Sequence, residues 1–157
     1  MKFSVPMGAT PLDPDTIAGL IPNLATQAEL NEFEARNISN AEQWAKRARG
    51  DNRDMLLVST LRKLHFQMFN MTWIWAGKYR QSDTNIGIDW SHIPIQLEQL
   101  CGNIRFQVQN EVYPLDETAA RFHHDLVRIH PFPNGNGRHG RLATDWLLKH
   151  KIGRAHV

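Results

Sequence analysis

The chain has 157 residues, 41% of them hydrophobic and 22% charged, with a formal net charge of +2. That length supports one domain with a real core, and so small a charge does not mark a nucleic-acid surface. A single cysteine, Cys101, excludes a disulfide framework; with no signal peptide and no long apolar run, a cytoplasmic location away from membranes is expected.

In chain order, residues 1–23 are punctuated by Pro6, Gly8, Pro11, Pro14, Gly19 and Pro22. This predicts an extended arm with at most a short turn over Thr16–Leu20. Thr26-Gln27-Ala28-Glu29 has capping-box spacing, which opens a helix running to about Arg49. Leu30, Phe33, Asn37, Ala41, Trp44 and Ala48 share its stripe. A second helix covers about Met55 to Asn70, with Leu57, Leu61, Leu64 and Met68 on its apolar face and His65 beside it. The next segment changes character. Trp73-Ile74-Trp75, Lys78-Tyr79-Arg80 and Ile86-Gly87-Ile88 are short runs around a polar Ser82–Asn85 turn, a pattern that predicts a β-hairpin. A third helix spans about Ser91 to Asn110, Pro94 fitting its first turn and Cys101 lying on its apolar face as an inert buried thiol. A fourth opens at Pro114 or Leu115, with a seam of Ala119, Phe122, Leu126 and Ile129, and a fifth runs on from Arg138 through Leu142 and Trp146. The expectation is an all-α bundle with one small hairpin.

Between the last two helices lies His130-Pro131-Phe132-Pro133-Asn134-Gly135-Asn136-Gly137-Arg138-His139-Gly140-Arg141. His130 can exchange a proton near neutral pH. Gly135 and Gly137 permit a tight turn, and a turn that opens a helix offers free N–H groups and a positive dipole end to phosphate. Asn136 is a candidate N-cap whose side-chain amide could add to that cradle. Arg138 and Arg141 leave one helical face three residues apart and suit bidentate phosphate contacts. The letters also spell G-x-G-x-x-G, but the stretch before them is Pro-broken and is no strand, which argues against a dinucleotide fold. His123-His124-Asp125 with His130 raises a metal-hydrolase reading, weakened because adjacent helical side chains point about 100° apart.

This stretch resembles the signature of the Fic/Doc family, His-x-Phe-x-(Asp/Glu)-Gly-Asn-Gly-Arg-x-x-Arg, at every fixed position except the acidic one, which is Asn134. From about Ala9 to Lys151 the chain is similar to the short bacterial Fic proteins called mobile mystery protein B. The resemblance implies a Fic-type helical bundle over residues 24–151. It implies transfer of AMP, or another nucleotide-derived phosphoryl group, from ATP to a Ser, Thr or Tyr hydroxyl of a target protein. His130 becomes the catalytic base, and Gly135, Asn136, Gly137, Arg138 and Arg141 hold phosphate. The predicted hairpin becomes a target-binding flap over Lys78, Tyr79, Arg80, Asn85, Ile86 and Gly87. The family's acidic residue holds Mg²⁺; Asn134 can offer a carbonyl oxygen but no charge, so either the metal binds weakly or another arrangement is used. A non-enzymatic nucleotide- or partner-binding module is the alternative.

The subfamily likeness also implies a small helix-turn-helix partner protein. Many relatives are inhibited by a Glu that pairs with the second motif arginine; Glu29 is the nearest match to that pattern but sits one place early, and its capping role explains it. Ile152-Gly153-Arg154-Ala155-His156-Val157 matches one reading frame of a common sequencing-library adapter, so residues 152–157 are set apart as a non-native tail.

Overall fold

A computed structural model describes residues 14–155, with side chains described over 14–150. Its helices are α1 (Pro14–Ala18), α2 (Gln27–Arg47), α3 (Val58–Phe69), α4 (Ile93–Gln109), α5 (Leu115–Ile129) and α6 (Asn136–Ala155). Single 3₁₀ turns at Gly50–Arg53 and Trp90–His92 lead toward α3 and into α4.

The capping box forms as its spacing predicts. Glu29 N–H donates to Thr26 Oγ1 at 3.1 Å, and Ala25 N–H donates to Glu29 Oε2 at 3.0 Å. α2 then buries Leu30, Glu34, Asn37, Ala41 and Ala45, and the small alanines let it pack closely on α3. Asn37 is buried and fully used: Nδ2 donates to Gln67 O and Asn70 Oδ1, while Oδ1 accepts from Met71 N–H and Thr72 Oγ1. It thereby closes the C-terminal end of α3.

α5 packs against α4 on one side and α6 on the other, and the six-residue link makes α5 and α6 antiparallel neighbours. Gly140 allows the close approach, since a Cβ there would meet Val127 Cγ2 at 3.0 Å. Leu64, Phe69, Ile93, Leu97, Phe122, Leu126, Ile129 and Phe132 fill the space between helices, and Trp146 joins them. Burial of each such side chain contributes about 2 kcal/mol. Leu142, expected with them, is only half-buried.

One expectation needs correction. The hairpin does not form: the only bridge among the described residues joins Leu20 to Trp73, and residues 78–89 run as irregular turns. The reason is Arg80, which is 3% exposed. Its guanidinium donates to Ser82 O, Ile88 O and Ile129 O, so side-chain bonds replace cross-strand pairing. The described part of the arm carries one short helical turn, where a short turn was expected, and is pinned to the helical body. α1 forms there, Ile21 N–H donates to Thr72 O at 2.8 Å, Ile74 N–H to Gly19 O at 2.9 Å, and Trp75 Nε1–H to Thr16 O at 3.0 Å. Residues 1–13 of the arm and the side chains of the 152–157 tail lie outside the described residues. No helix among the described residues is long and apolar enough to cross a membrane.

Candidate active site

α5 ends at His130, which takes a left-handed conformation (φ 55°, ψ 61°) and donates its N–H to Leu126 O. A non-glycine residue there costs about 1 kcal/mol or more and needs support from its surroundings. Arg80 provides it: Nε donates to His130 O at 2.5 Å, and Arg80 N–H donates to Pro131 O at 3.0 Å. Gly87 (φ +101°) fits against the histidine, and a Cβ there would lie 2.7 Å from His130 Cβ. His130 is 5% exposed, and neither ring nitrogen has a hydrogen-bond partner among the described residues. Burial, with Arg80 adding to it, lowers its pKa to about 4, so His130 is neutral at pH 7 with an uncommitted lone pair.

The loop beyond it is closed by Asn136. Phe132 N–H donates to Asn136 Oδ1 at 2.9 Å, and Asn136 Nδ2 donates back to Phe132 O at 2.8 Å. Asn136 is 3% exposed, so the expectation that its side chain contacts phosphate is corrected: the amide is spent on the loop itself. Gly135 has φ +80°, and a Cβ there would lie 2.5 Å from the Phe69 ring, so glycine is required. The first N–H to close an α6 bond is that of His139, onto Gly135 O at 2.9 Å. The N–H groups of Asn136, Gly137 and Arg138 precede it and have no intrahelical acceptor, which leaves the cradle in their backbone.

A buried histidine fixes this loop from beneath. Gly77 N–H can only donate, and it donates to His65 Nδ1 at 2.8 Å. The proton of His65 is therefore on Nε2, which donates to Asn134 O at 3.0 Å. The His65 ring stacks on Phe132 with centroids 3.7 Å apart. Desolvation and the neighbouring His139 push the His65 pKa well below its ordinary value. The sequence placed His65 beside the apolar face of its helix; it is fully buried, and nothing in the sequence signals that it positions the motif.

Arg138 is 44% exposed, lies over the Phe69 ring and pairs with Glu34, NH1 to Oε1 at 3.3 Å. Trp73 Nε1–H holds the other oxygen of Glu34 at 2.9 Å. Glu34 is thus the acidic group that reaches the motif, and Glu29, occupied at the start of α2, is not. Arg141 is exposed and makes no ion pair with the described residues. Of the proposed flap, Lys78, Asn85, Ile86 and Gly87 are exposed, Tyr79 is half-buried against Phe132 and under Arg62, and Arg80 is buried. Arg80 is therefore a support for His130 and not a target contact.

The metal-hydrolase reading finds no support: no group of three His, Cys, Asp or Glu among the described residues converges, and His124 is exposed. Asn134 offers Mg²⁺ only neutral oxygens that each already serve one donor, a poor ligand set for a hard cation. Its Oδ1 already accepts from Gly135 N–H at 2.7 Å, and its backbone carbonyl is taken by His65. A cation about 2.1 Å from that Oδ1 would face the positive end of the Gly135 N–H dipole. The Cys101 thiol is buried, its pKa pushed up to about 12, and takes no part.

The bundle thus brings a neutral buried imidazole, the open N–H groups of a loop-to-helix turn and two arginines to one loop. The family model "Fic/DOC family" matches residues 55–148, and the chain belongs to that family. It is 32% identical over 80 residues to "Protein adenylyltransferase Fic" of Drosophila mojavensis, a match covering 46% of this chain and 15% of that protein. It is 54% identical over 33 residues to "Uridine 5'-monophosphate transferase" of Xanthomonas campestris pv. campestris (strain 8004), covering 21% of this chain and 6% of that one. The chain therefore spans a small part of the length of both relatives. Among solved structures, Fic-1 of C. elegans superposes with TM-score 0.68 at 20% identity, over 86% of this chain and 40% of that one. BepC of Bartonella tribocorum, solved with bound AMPPNP, gives 0.60 at 21% identity, over 78% of this chain and 68% of that one. Both likenesses establish a shared fold.

Proposed function

We propose that the protein transfers AMP from ATP to a hydroxyl side chain of a target protein. The observation that carries this is His130, a neutral and unpartnered imidazole at one end of a loop whose other end is an open anion cradle. The triphosphate lies along the N–H groups of residues 136–138, with Arg138 and Arg141 on its charge. The target hydroxyl gives its proton to His130 while its oxygen attacks the α-phosphorus, and pyrophosphate leaves in line. The negative phosphate beside His130 opposes the effect of Arg80 and raises the pKa of the imidazole on binding, which improves it as a base.

The adenylyltransferase name of the fly relative supports AMP, and the bacterial relative named a uridine monophosphate transferase keeps UMP as the competing donor. Co-expression with candidate targets, read as a mass shift, distinguishes AMP, UMP and phosphate. His130→Ala is expected to abolish labelling from α-³²P-ATP while nucleotide still binds. Unchanged labelling in that variant removes His130 from the mechanism, and binding without any labelling by the wild type favours a nucleotide-holding module. The resemblance to mobile mystery protein B supports a small helix-turn-helix partner; co-purification with the product of a neighbouring gene tests the pairing.

A further inference from the structure

We infer that Asn134 is a phosphate-binding amide and not a metal ligand, so that this site grips nucleotide without a divalent cation. The inference rests on the nucleotide-binding reading above and concerns how that nucleotide is held.

The argument starts from which atoms of Asn134 are already used. A backbone N–H can only donate, so the atom 2.7 Å from Gly135 N must be the side-chain oxygen and not the amide nitrogen. The bond from Gly77 N–H fixes the His65 proton on Nε2, and that proton draws the Asn134 backbone carbonyl inward. Each oxygen of the residue thus already serves one donor within the protein and keeps one lone pair. Nδ2 carries two donor protons and has no partner among the described residues, on a half-exposed side chain. A hard cation would find here one neutral, already shared amide oxygen, whereas a phosphate oxygen finds a free N–H donor.

The surroundings agree with this assignment. The nearest acidic group described at the motif is Glu34, whose two oxygens are held by Trp73 Nε1–H and Arg138. Arg138 and Arg141, with the open N–H groups of 136–138, make the mouth of the loop a set of donors and positive charge. Such a field attracts a phosphate oxygen and repels a divalent ion. An acidic side chain at position 134 would need a cation between itself and the phosphates; Asn134 removes the repulsion and supplies a hydrogen bond instead.

The test is calorimetric titration of AMPPNP into the full chain, in excess Mg²⁺ and in excess chelator, for wild type, Asn134→Asp and Asn134→Ala. Wild-type affinity is expected to agree within about threefold in the two buffers. Asn134→Asp, which keeps the shape and the acceptor for Gly135 N–H, is expected to lose about tenfold or more in chelator and to recover with Mg²⁺. Asn134→Ala is expected to lose about tenfold in both, the weight of one hydrogen bond to a charged oxygen. Thermal melts establish that each variant is folded, and the Asp variant carries the test if the Ala variant is not. Wild-type affinity that falls tenfold or more in chelator makes Asn134 part of a metal site and overturns the inference, as does a folded Asn134→Ala with unchanged affinity. Absence of wild-type binding in both buffers overturns the nucleotide reading itself, a result distinct from metal dependence.

Discussion

Acidification should weaken this fold through histidines that have no surface exposure. His139 is 0% exposed, donates from Nε2 to Leu61 O at 2.8 Å, and has Nδ1 buried without a partner. Its pKa falls from 6.5 to about 4, with desolvation the main cause. A depressed value means the unfolded chain binds the proton more readily. The contribution to stability is complete above about pH 6.5, declines as pH falls, and is gone below about pH 4. Linkage gives a loss of about 2 kcal/mol at pH 5 from this one group. For a chain of this length that corresponds to about 6 °C in melting temperature. His65 shifts in the same direction, and protonating its Nδ1 would also break the bond from Gly77. Thermal melts of wild type and His139→Gln near pH 8 and near pH 5 measure the effect. The Gln variant retains an N–H donor for Leu61 but cannot titrate, and any fixed cost of the substitution cancels between the two pH values. It should lose about 2 kcal/mol less than wild type on acidification. Equal losses would refute the assignment of acid sensitivity to His139.

Three further outcomes follow from the geometry. Gly87→Ala introduces a Cβ at φ +101° and 2.7 Å from His130 Cβ, so labelling should fall at least about tenfold while nucleotide affinity changes little; equal losses of both would place Gly87 in the nucleotide site. Glu34→Gln removes the charge opposite Arg138 and keeps an acceptor for Trp73; AMPPNP should bind about two- to fivefold more tightly, at a stability cost of under about 1 kcal/mol for so exposed an arginine, and unchanged affinity would show that the pair does not compete with phosphate. Glu29→Gly should lower stability by about 1 kcal/mol, seen as a lower melting temperature, with no rise in self-labelling; a clear rise would restore Glu29 as an inhibitor.

Where packing follows helical period, the sequence was legible. The α5 seam appears where Phe122, Leu126 and Ile129 place it, and α6 starts at Asn136, two residues before the expected Arg138. Along α2 and its cap Leu30, Asn37, Ala41 and Ala48 are buried as read, but Glu34 and Ala45 are buried where Phe33 and Trp44 were read into the stripe. A carboxylate in an apolar stripe is intelligible only once its partners, Trp73 and Arg138, are brought in from 39 and 104 residues away. The hairpin failed for a related reason. Alternation of apolar and polar residues cannot reveal that a buried arginine will take the carbonyls a partner strand would have used. The motif points to residues, but not to the roles of their atoms. Asn136 and Asn134 are chemically identical side chains, yet one closes the loop through both its amide atoms and the other accepts only from its neighbour's N–H, and the backbone conformation separates them.

Arg80 holds Ser82 and Ile88 with the same guanidinium that holds Ile129 and His130. The exposed turn and the end of α5 are therefore fastened to one planar, rigid group. A load on Asn85 and Ile86 would therefore reach the backbone of His130 over a path of two hydrogen bonds. Under the proposed function, a target that fits this turn poorly would misalign the base, and a molecule that merely brings a hydroxyl into the cleft would gain no such alignment.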